Sequence, residues 1–137
     1  MSSLQVRVRT FNSDLPSHSA AVSAAMAAHE NKAEDIVILD MSGISIMADY
    51  FVICTVNTDT HARAVRQAVV EALEGTGMNL RGREGADASG WVLLDWGDVV
   101  VHVFEREQRD YYCLDKLWGN APSRRLVESE SGEPMLV

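Results

Sequence analysis

Two carboxylates that flank a short break between apolar segments come closest to a chemical site in this sequence. Asp95 and Asp98 stand on either side of Trp96 and Gly97. A carboxylate pair can hold a divalent metal ion or divide acid and base roles, provided that both groups converge on one pocket. A carboxylate beside a turn also commonly closes that turn, and Asp98 is placed to accept backbone N–H groups in this way. We therefore favour turn closure or surface recognition over catalysis for this pair.

The remaining carboxylates and the glycines give no stronger sign of catalysis. Asp35 and Asp40 lie five residues apart in one apolar segment, which puts them on opposite faces of a strand. The sequence has no Asp-x-Asp, whereas nucleotidyltransferases use closely spaced carboxylates on a strand. It also has no P-loop, no GxGxxG and no nucleophile elbow. These absences argue against an enzyme of any of these classes.

Histidines and cysteines give no metal-ligand pattern. The four histidines have no ligand spacing, and His102 lies within a predicted strand, where a hydrogen-bonded, partly buried imidazole is expected. Cys54 and Cys113 sit in apolar or aromatic segments without CxxC spacing, so we expect two reduced and mostly buried thiols. The sequence therefore predicts neither a metal nor a cofactor.

Length and composition indicate a soluble globular domain. The chain has 137 residues, of which 47% are hydrophobic and 23% charged. No apolar run approaches the roughly 18 residues of a membrane span, and the first residues lack the pattern of a secretory signal. We therefore expect no membrane partner.

The net charge of −8 is concentrated in the middle of the chain. Residues 34–118 carry all of it, because residues 1–33 contribute +1 and residues 119–137 contribute −1. Such a domain is repelled by phosphate backbones, so we expect no DNA or RNA binding through its general field. A basic protein is the better electrostatic partner.

Hydrophobic periodicity predicts eight elements between two irregular segments. Residues 1–16 are expected to form a flexible leader and residues 123–137 a mobile acidic tail, which leaves 17–122 as the folded domain. The order α-β-β-α-β-β-β-α lacks strict βαβ alternation and predicts an α/β fold, in which helices flank a mixed five-stranded sheet. The predicted helices cover residues 17–29, 57–74 and 105–118, and the predicted strands cover 35–41, 49–55, 78–84, 91–94 and 99–104.

The segment from Trp91 to Phe104 predicts a β-hairpin, because Gly97 supplies the backbone freedom that a tight reversal needs. Its tip carries a large aromatic ring between acids, whereas hairpin tips normally carry small polar residues. We expect Trp96 to be an exposed anchor, and Trp91 and Trp118 to lie in the core. Aromatic anchors with charged neighbours are the usual composition of a protein-binding hot spot.

Four blocks of the sequence together resemble the ribosomal silencing factor family, also called the Iojap family. The resemblance runs from about residue 35 to residue 122, in order and with the family's spacing. The blocks are Ala48-Asp-Tyr-Phe-Val-Ile-Cys54, Trp91-Val-Leu-Leu-Asp95, Gly97-Asp-Val-Val-Val-His-Val-Phe104 and Leu117-Trp-Gly-Asn-Ala121.

This resemblance implies a mixed α/β domain related in fold to nucleotidyltransferases but without their catalysis, and therefore a protein that is not an enzyme. It implies a homodimer that binds the large ribosomal subunit through that subunit's universal protein number fourteen. Bound there, family members block joining of the small subunit and lower translation when nutrients run short. The implied location is the cytoplasm of a bacterium, or an organelle in a eukaryote.

By position, the family's binding surface falls on the hairpin and on the start of the predicted third helix. Position 96 is commonly Tyr in the family and is Trp here, so the phenolic hydroxyl is missing. Residues 57–60 also differ from the small, Ser-rich sequence usual in the family. The partner-binding residues implied in this way are Trp91, Leu94, Asp95, Trp96, Asp98, Glu107, Arg109 and Tyr112.

Two other functions stay open at this point. One is a divergent nucleotidyltransferase, which magnesium-dependent nucleotide binding through Asp95 or Asp98 would favour. The other is a dimeric scaffold for the assembly of ribosomal or organellar complexes, which would differ mainly in the partner that it retains.

Overall fold

One mixed sheet organises the part of the chain that the structure describes. The structure, a computed structural model, describes residues 10–112 and 119–137. Its strands are β1 (Glu34–Asp40), β2 (Tyr50–Val56), β3 (Gly82–Glu84), β4 (Trp91–Asp95), β5 (Val99–Glu105), β6 (Ser123–Glu128) and β7 (Pro134–Leu136). Its helices are α1 (His18–Glu30), α2 (Asp59–Gly75) and α3 (Arg106–Tyr112), and a 3-10 turn covers Asp87–Ser89. None of the helices in these ranges is long and apolar enough to cross a membrane.

The strands follow the order β3-β4-β5-β2-β1-β6-β7 across the sheet. β2 and β5 run parallel to each other and are connected through α2, β3 and β4. The other neighbouring strands are antiparallel. The β4–β5 hairpin therefore lies beside the central strands and not at a free end of the sheet.

α1 and α2 cover one face of the sheet. α2 begins after Thr58, whose Oγ1 accepts the backbone N–H of His61 at 3.0 Å. This hydrogen bond satisfies one of the free donors at the start of the helix. α1 contributes small side chains that allow close packing, and the most buried of these are Ala20, Ala21, Ala24, Ala25 and Ala28.

Strand alternation divides the apolar residues between two clusters. Val99, Val101 and Val103 of β5 belong to the larger cluster, which α1 and α2 cover. Phe104 belongs to a smaller cluster on the opposite face, and Phe51 and Trp91 pack against this smaller cluster while half-buried. The sheet thus has one face that α1 and α2 largely cover and one face on which aromatic side chains reach the surface.

The prediction of an α/β fold with a mixed sheet is confirmed, but the predicted number of five strands is wrong. Where the sequence predicts a mobile tail over residues 123–137, the structure contains β6 and β7. β6 pairs with β1, placing Val37 opposite Arg125. The half-buried Leu126 of β6 lies opposite Leu136 of β7, and both pack against the larger cluster. Composition near a chain end does not reveal a strand whose partner lies almost ninety residues away in sequence.

Three other predictions about elements change or stay open. The predicted edge strand over residues 78–84 is reduced to residues 82–84. The predicted helix over 105–118 is α3 as far as Tyr112, and its remainder, with Cys113 and Trp118, lies outside the described residues. The kinship with the nucleotidyltransferase fold stays a prediction.

Replacing Leu126 by Ala tests whether β6 is an integral part of the fold. We expect a loss of about 1–2 kcal/mol in the free energy of unfolding, less than for a fully buried leucine because Leu126 is only half-buried. Glu130→Ala, in the exposed β6–β7 turn, is the control and should leave the urea unfolding midpoint unchanged. Equal midpoints for the two variants would mean that residues 123–137 behave as a tail.

Candidate functional site

The hairpin turn is closed by Asp95. Its Oδ1 accepts the backbone N–H of Gly97 at 2.7 Å, and the N–H of Trp96 donates to the carbonyl of Val99 at 2.9 Å. Gly97 has a φ of +87°, a conformation that side chains disfavour, so glycine is required there. The turn-closing role expected for Asp98 thus belongs to Asp95. The side chain of Asp98 is exposed, and its carbonyl accepts the backbone N–H groups of residues 49 and 50.

Trp96 is not the exposed anchor that the sequence predicts. Its side chain is 3% exposed and belongs to the larger cluster. Leu94 and Trp96 are two residues apart, so the alternation of β4 turns both of them toward the helix-covered face. The indole N–H of Trp96 is buried and has no hydrogen-bond partner among the described residues. The aromatic tip therefore packs on its own protein.

Trp91, and not Trp96, is the hairpin tryptophan that reaches the surface. It lies on the opposite face of the sheet, half-buried, and stacks on Phe104 with ring centroids 4.9 Å apart. Its Nε1 donates to Nδ1 of His102 at 3.2 Å. The prediction that Trp91 lies in the core is met only in part, because the ring packs against the smaller cluster while part of it remains at the surface.

His102 is a buried, neutral imidazole, close to what the sequence predicts. Because Nδ1 accepts a hydrogen bond from Trp91, the ring proton sits on Nε2, which has no partner among the described residues. Phe51 lies edge-on to the ring, with centroids 4.8 Å apart. Burial lowers the pKa of His102 from 6.5 to about 4, since a charged imidazole would lose its hydration there.

A recess of about 400 Å³ lies beside Trp91. Gly85 borders it at a φ of +85°, and a Cβ on this residue would lie 2.2 Å from the carbonyl oxygen of Trp91. α3 approaches the recess at Gly90, where a Cβ would meet Cγ of Gln108 at 2.6 Å. Both glycines therefore permit close packing around the recess. Its lining residues are Glu84, Gly85, Ser89, Trp91, Leu93 and Gln108.

Arg109 supports the fold from the interior. It is 8% exposed, and its Nη1 donates to Oγ1 of Thr55 at 2.9 Å and to the carbonyl of Asp35. Asp35 has a φ of +48° where the pairing of β1 with β2 is irregular, and its carboxylate lies 2.6 Å from Nη1 of Arg106. Two arginines thus fix α3 to β1 and β2.

The eight residues predicted as partner-binding therefore separate into four groups. Trp91 and Asp95 are half-buried, and Asp98 and Glu107 are exposed. The side chain of Tyr112 lies outside the described part of the structure. The remaining three are interior residues, namely Leu94, Trp96 and Arg109.

Sequence reasoning missed most of the recess. Leu93 was recoverable, because strand alternation places it on one face with Trp91 and Asp95. The other lining residues come from separate segments of the chain. These segments meet only because β3 pairs with β4 and because α3 packs near Gly90, and nothing local in the sequence indicates those contacts. The missed residues are Glu84, Gly85, Ser89, Leu93 and Gln108.

The described residues form no metal-binding group at this surface. Within residues 10–112 and 119–137, no group of three or more His, Cys, Asp or Glu side chains is arranged to hold a metal ion. Fold and surface together define a small α/β domain that presents one half-exposed aromatic sheet face.

Comparison with known proteins gives the family. The family model described as "Ribosomal silencing factor during starvation" matches residues 14–135, so this chain belongs to the ribosomal silencing factor family. Ribosomal silencing factor RsfS of Bacillus subtilis (strain 168) is 48% identical over 99 residues, which are 72% of this chain and 84% of the relative. The chloroplastic protein Iojap of Zea mays is 35% identical over 101 residues, which are 74% of this chain and 44% of the relative. The resemblance stated from the sequence is confirmed.

Solved structures agree with this assignment. A crystal structure of a Chromobacterium violaceum protein superposes with a TM-score of 0.73 at 32% identity, covering 77% of this chain and 88% of that one. A second structure, from Bacillus halodurans, gives a TM-score of 0.66 at 38% identity, covering 77% of this chain and 95% of that one.

Trp96→Phe is expected to change the free energy of unfolding by less than about 1 kcal/mol. The substitution removes a buried N–H that makes no hydrogen bond, and this gain offsets part of the lost contact area. Trp96→Ala should cost about 3–5 kcal/mol, because it leaves a cavity in the core. Chemical denaturation measures both, and equal losses for the two variants would contradict the prediction that a phenyl ring can replace the buried indole.

Acid should destabilise the protein through His102. Its folded-state pKa of about 4 lies below the unfolded value of 6.5, so the unfolded chain takes up the proton more readily. Its contribution is complete above pH 6.5 and falls by about 1 kcal/mol by pH 5.5 and about 3 kcal/mol by pH 4. Urea midpoints for the wild type and His102→Gln measure this. The variant should lose less stability than the wild type between pH 7.5 and 5.5. Parallel plots of urea midpoint against pH for the two proteins would exclude His102 as the source of the acid sensitivity.

Proposed function

We propose that this protein binds the large ribosomal subunit and prevents the small subunit from joining it, which lowers translation when nutrients are limiting. The contact on the subunit is its universal protein number fourteen. Family membership supports the ribosomal partner. The single observation that supports the docking surface is the half-exposed face of the β4–β5 hairpin, which carries Trp91 and the recess beside it.

Trp91 is suited to anchor a protein partner. Its ring is held from two sides, by the stack on Phe104 and by the hydrogen bond to His102, so little side-chain entropy is lost when a partner covers it. Buried tryptophans at the centre of an interface often carry a large share of the binding energy. The recess beside the ring accepts a protruding side chain of the partner.

Acidic groups at the rim of this face suit a basic partner. Glu84 is exposed at the recess, and Asp98 and Glu107 are exposed at the hairpin turn and at the start of α3. Rim charges mainly accelerate association and select partners of opposite sign. A basic ribosomal protein matches both the local charge and the net charge of −8.

The action that follows from such binding is steric. A folded domain placed on the joining face of the large subunit occupies space that the small subunit needs, so no covalent step is required. The homodimer, the cytoplasmic location and the contact through Tyr112 are part of this proposal. Leu94, Trp96 and Arg109 contribute indirectly, because they hold the hairpin and α3 in position.

Charge reversal at the rim tests the docking surface. The double variant Glu84→Lys/Asp98→Lys should bind the large subunit at least about tenfold more weakly, because both side chains are exposed and would repel a basic partner. The matched control is Glu130→Lys/Glu133→Lys, which makes the same charge change in the exposed β6–β7 turn. If both double variants bound the large subunit equally weakly, the effect would be one of net charge and not of the docking surface.

Sedimentation of purified subunits provides the functional measurement. Saturating wild-type protein should reduce the joined-ribosome peak, the control should reduce it equally, and the Glu84→Lys/Asp98→Lys variant should not. Undiminished joining in the presence of the wild-type protein would contradict the proposed function itself.

A further inference from the structure

Four arginines lie at the β3 edge of the sheet, and three of them surround Asp87 on the side opposite to the recess beside Trp91. Arg63 and Arg66 belong to α2, while Arg81 and Arg83 lie just before and within β3. The register pairs Arg83 with the core residue Leu94, so its side chain points to the face that α2 covers. We call these four residues the arginine cluster.

Asp87 lies among three members of the arginine cluster, Arg63, Arg66 and Arg83, and Arg66 is its main partner. Arg66 donates to both carboxylate oxygens, from Nε at 2.8 Å and from Nη2 at 3.1 Å. This fork, with the other nearby guanidiniums, lowers the pKa of Asp87. Arg66 is 18% exposed and Asp87 13% exposed, so the pair forms a largely covered clamp on the 3-10 turn.

The other arginines are not needed to pair Asp87, because Arg66 already binds both of its carboxylate oxygens. Arg83 places Nη2 3.2 Å from Asp87 while its side chain is 37% exposed, and Nε of Arg63 lies 3.6 Å away with the side chain 66% exposed. The guanidinium carbon of Arg81 lies 2.9 Å from the position that a Cβ on Gly97 would occupy, so this arginine covers the hairpin turn. Two exposed guanidiniums, those of Arg63 and Arg83, thus lie close to a carboxylate that Arg66 already pairs.

Charge is therefore segregated across the sheet at this edge. The arginine cluster with Asp87 has a net charge of +3 within a protein whose total is −8. Glu84, which follows Arg83, lies opposite Leu93 and belongs to the recess on the other face. Toward the start of α2 the positive patch ends at Asp59, which interacts with Glu105 and raises its pKa.

We propose that the arginine cluster binds backbone phosphates of RNA next to the docking surface. This inference rests on the proposed function, because a protein seated on a ribosomal subunit has RNA phosphates beside it. Guanidinium groups match phosphate oxygens in geometry and keep their charge at any physiological pH. The exposed Arg63 and Arg83 make the contact, while Arg66 stays on Asp87.

The overall charge makes this contact dependent on docking. A net charge of −8 repels free polyanions, so the cluster alone binds RNA weakly and with a strong dependence on salt. Once the recess face holds a protein partner, neighbouring phosphates are present at a high effective concentration. The two faces of the sheet edge then bind the basic and the acidic components of one assembly.

Neutralising the exposed arginines tests this inference. The variant is Arg63→Gln/Arg83→Gln, which leaves the Arg66–Asp87 clamp intact. The matched control is Lys32→Gln/Arg125→Gln, which removes two exposed positive charges elsewhere, one of them on β6 near the opposite end of the sheet. Equal thermal transitions for both variants establish that the fold is retained.

The first measurement is the affinity of the full chain for a fluorescent RNA hairpin at low salt. The arginine variant should bind roughly tenfold more weakly than the control, with a slope of log K against log salt smaller in magnitude by about one to two. Equal affinity and slope for variant and control would overturn the inference. Poly-aspartate that competes as well as RNA of matched charge would also overturn it, in favour of an acidic protein partner.

The second measurement separates this inference from the proposed function. Binding of the arginine variant to large subunits should weaken, and more so as salt is lowered, while the control binds like the wild type. Wild-type protein that fails to bind subunits would contradict the proposed function. The affinity for the RNA hairpin would still decide whether the arginine cluster binds RNA. Undiminished subunit binding by the arginine variant would overturn the inference alone.

Discussion

The register of β4 against β5 determines which side chains this protein buries and which it presents. The register is fixed at the turn, where Asp95 accepts the N–H of Gly97 and pairs with Val100 across the hairpin. A shift by one residue would exchange the two faces, because successive side chains of a strand point to opposite sides. Trp91 would then be buried under the helices and Trp96 would be exposed.

A second constraint keeps the presented face rigid. Arg109 donates to Thr55 of β2 and to the backbone of Asp35 in β1, so α3 is bound to two central strands. Displacing α3 would leave the buried charge of Arg109 without its partners, and the free-energy cost of this holds the helix in place. Since α3 also supplies Gln108 to the recess, the shape of the recess depends on this interior network.

Local sequence patterns identified most of the sheet but not all of its pairing. The apolar runs around β1, β2 and β5 are rich in β-branched residues, and the helix of Val65, Val69 and Leu73 has clear periodicity, so these elements were predictable. β6 was not, because its stability comes from pairing with β1, and that contact leaves no periodicity in the tail.

The candidate site, like the sheet, was predictable from the sequence only in part. Composition indicated an aromatic and acidic hairpin, and the family blocks indicated its position. The burial of Trp96 was missed because a residue next to a turn is usually exposed, although the alternation of Trp96 with Leu94 already indicated the buried face. Arg109 was predicted as a surface contact, and its interior position was missed because a buried arginine is unusual and its partners lie more than fifty residues away in sequence.

The pairing of β6 with β1 has a consequence for how the protein is made. β1 has β2 on one side from early in synthesis, but its other edge stays open until residues 123–128 have left the ribosome. Contacts across such a sequence separation form slowly, and an unpaired apolar strand edge invites association with other chains. During synthesis the nascent chain therefore passes through a stage in which a central strand is temporarily an edge strand, and its protection depends on how quickly β6 arrives.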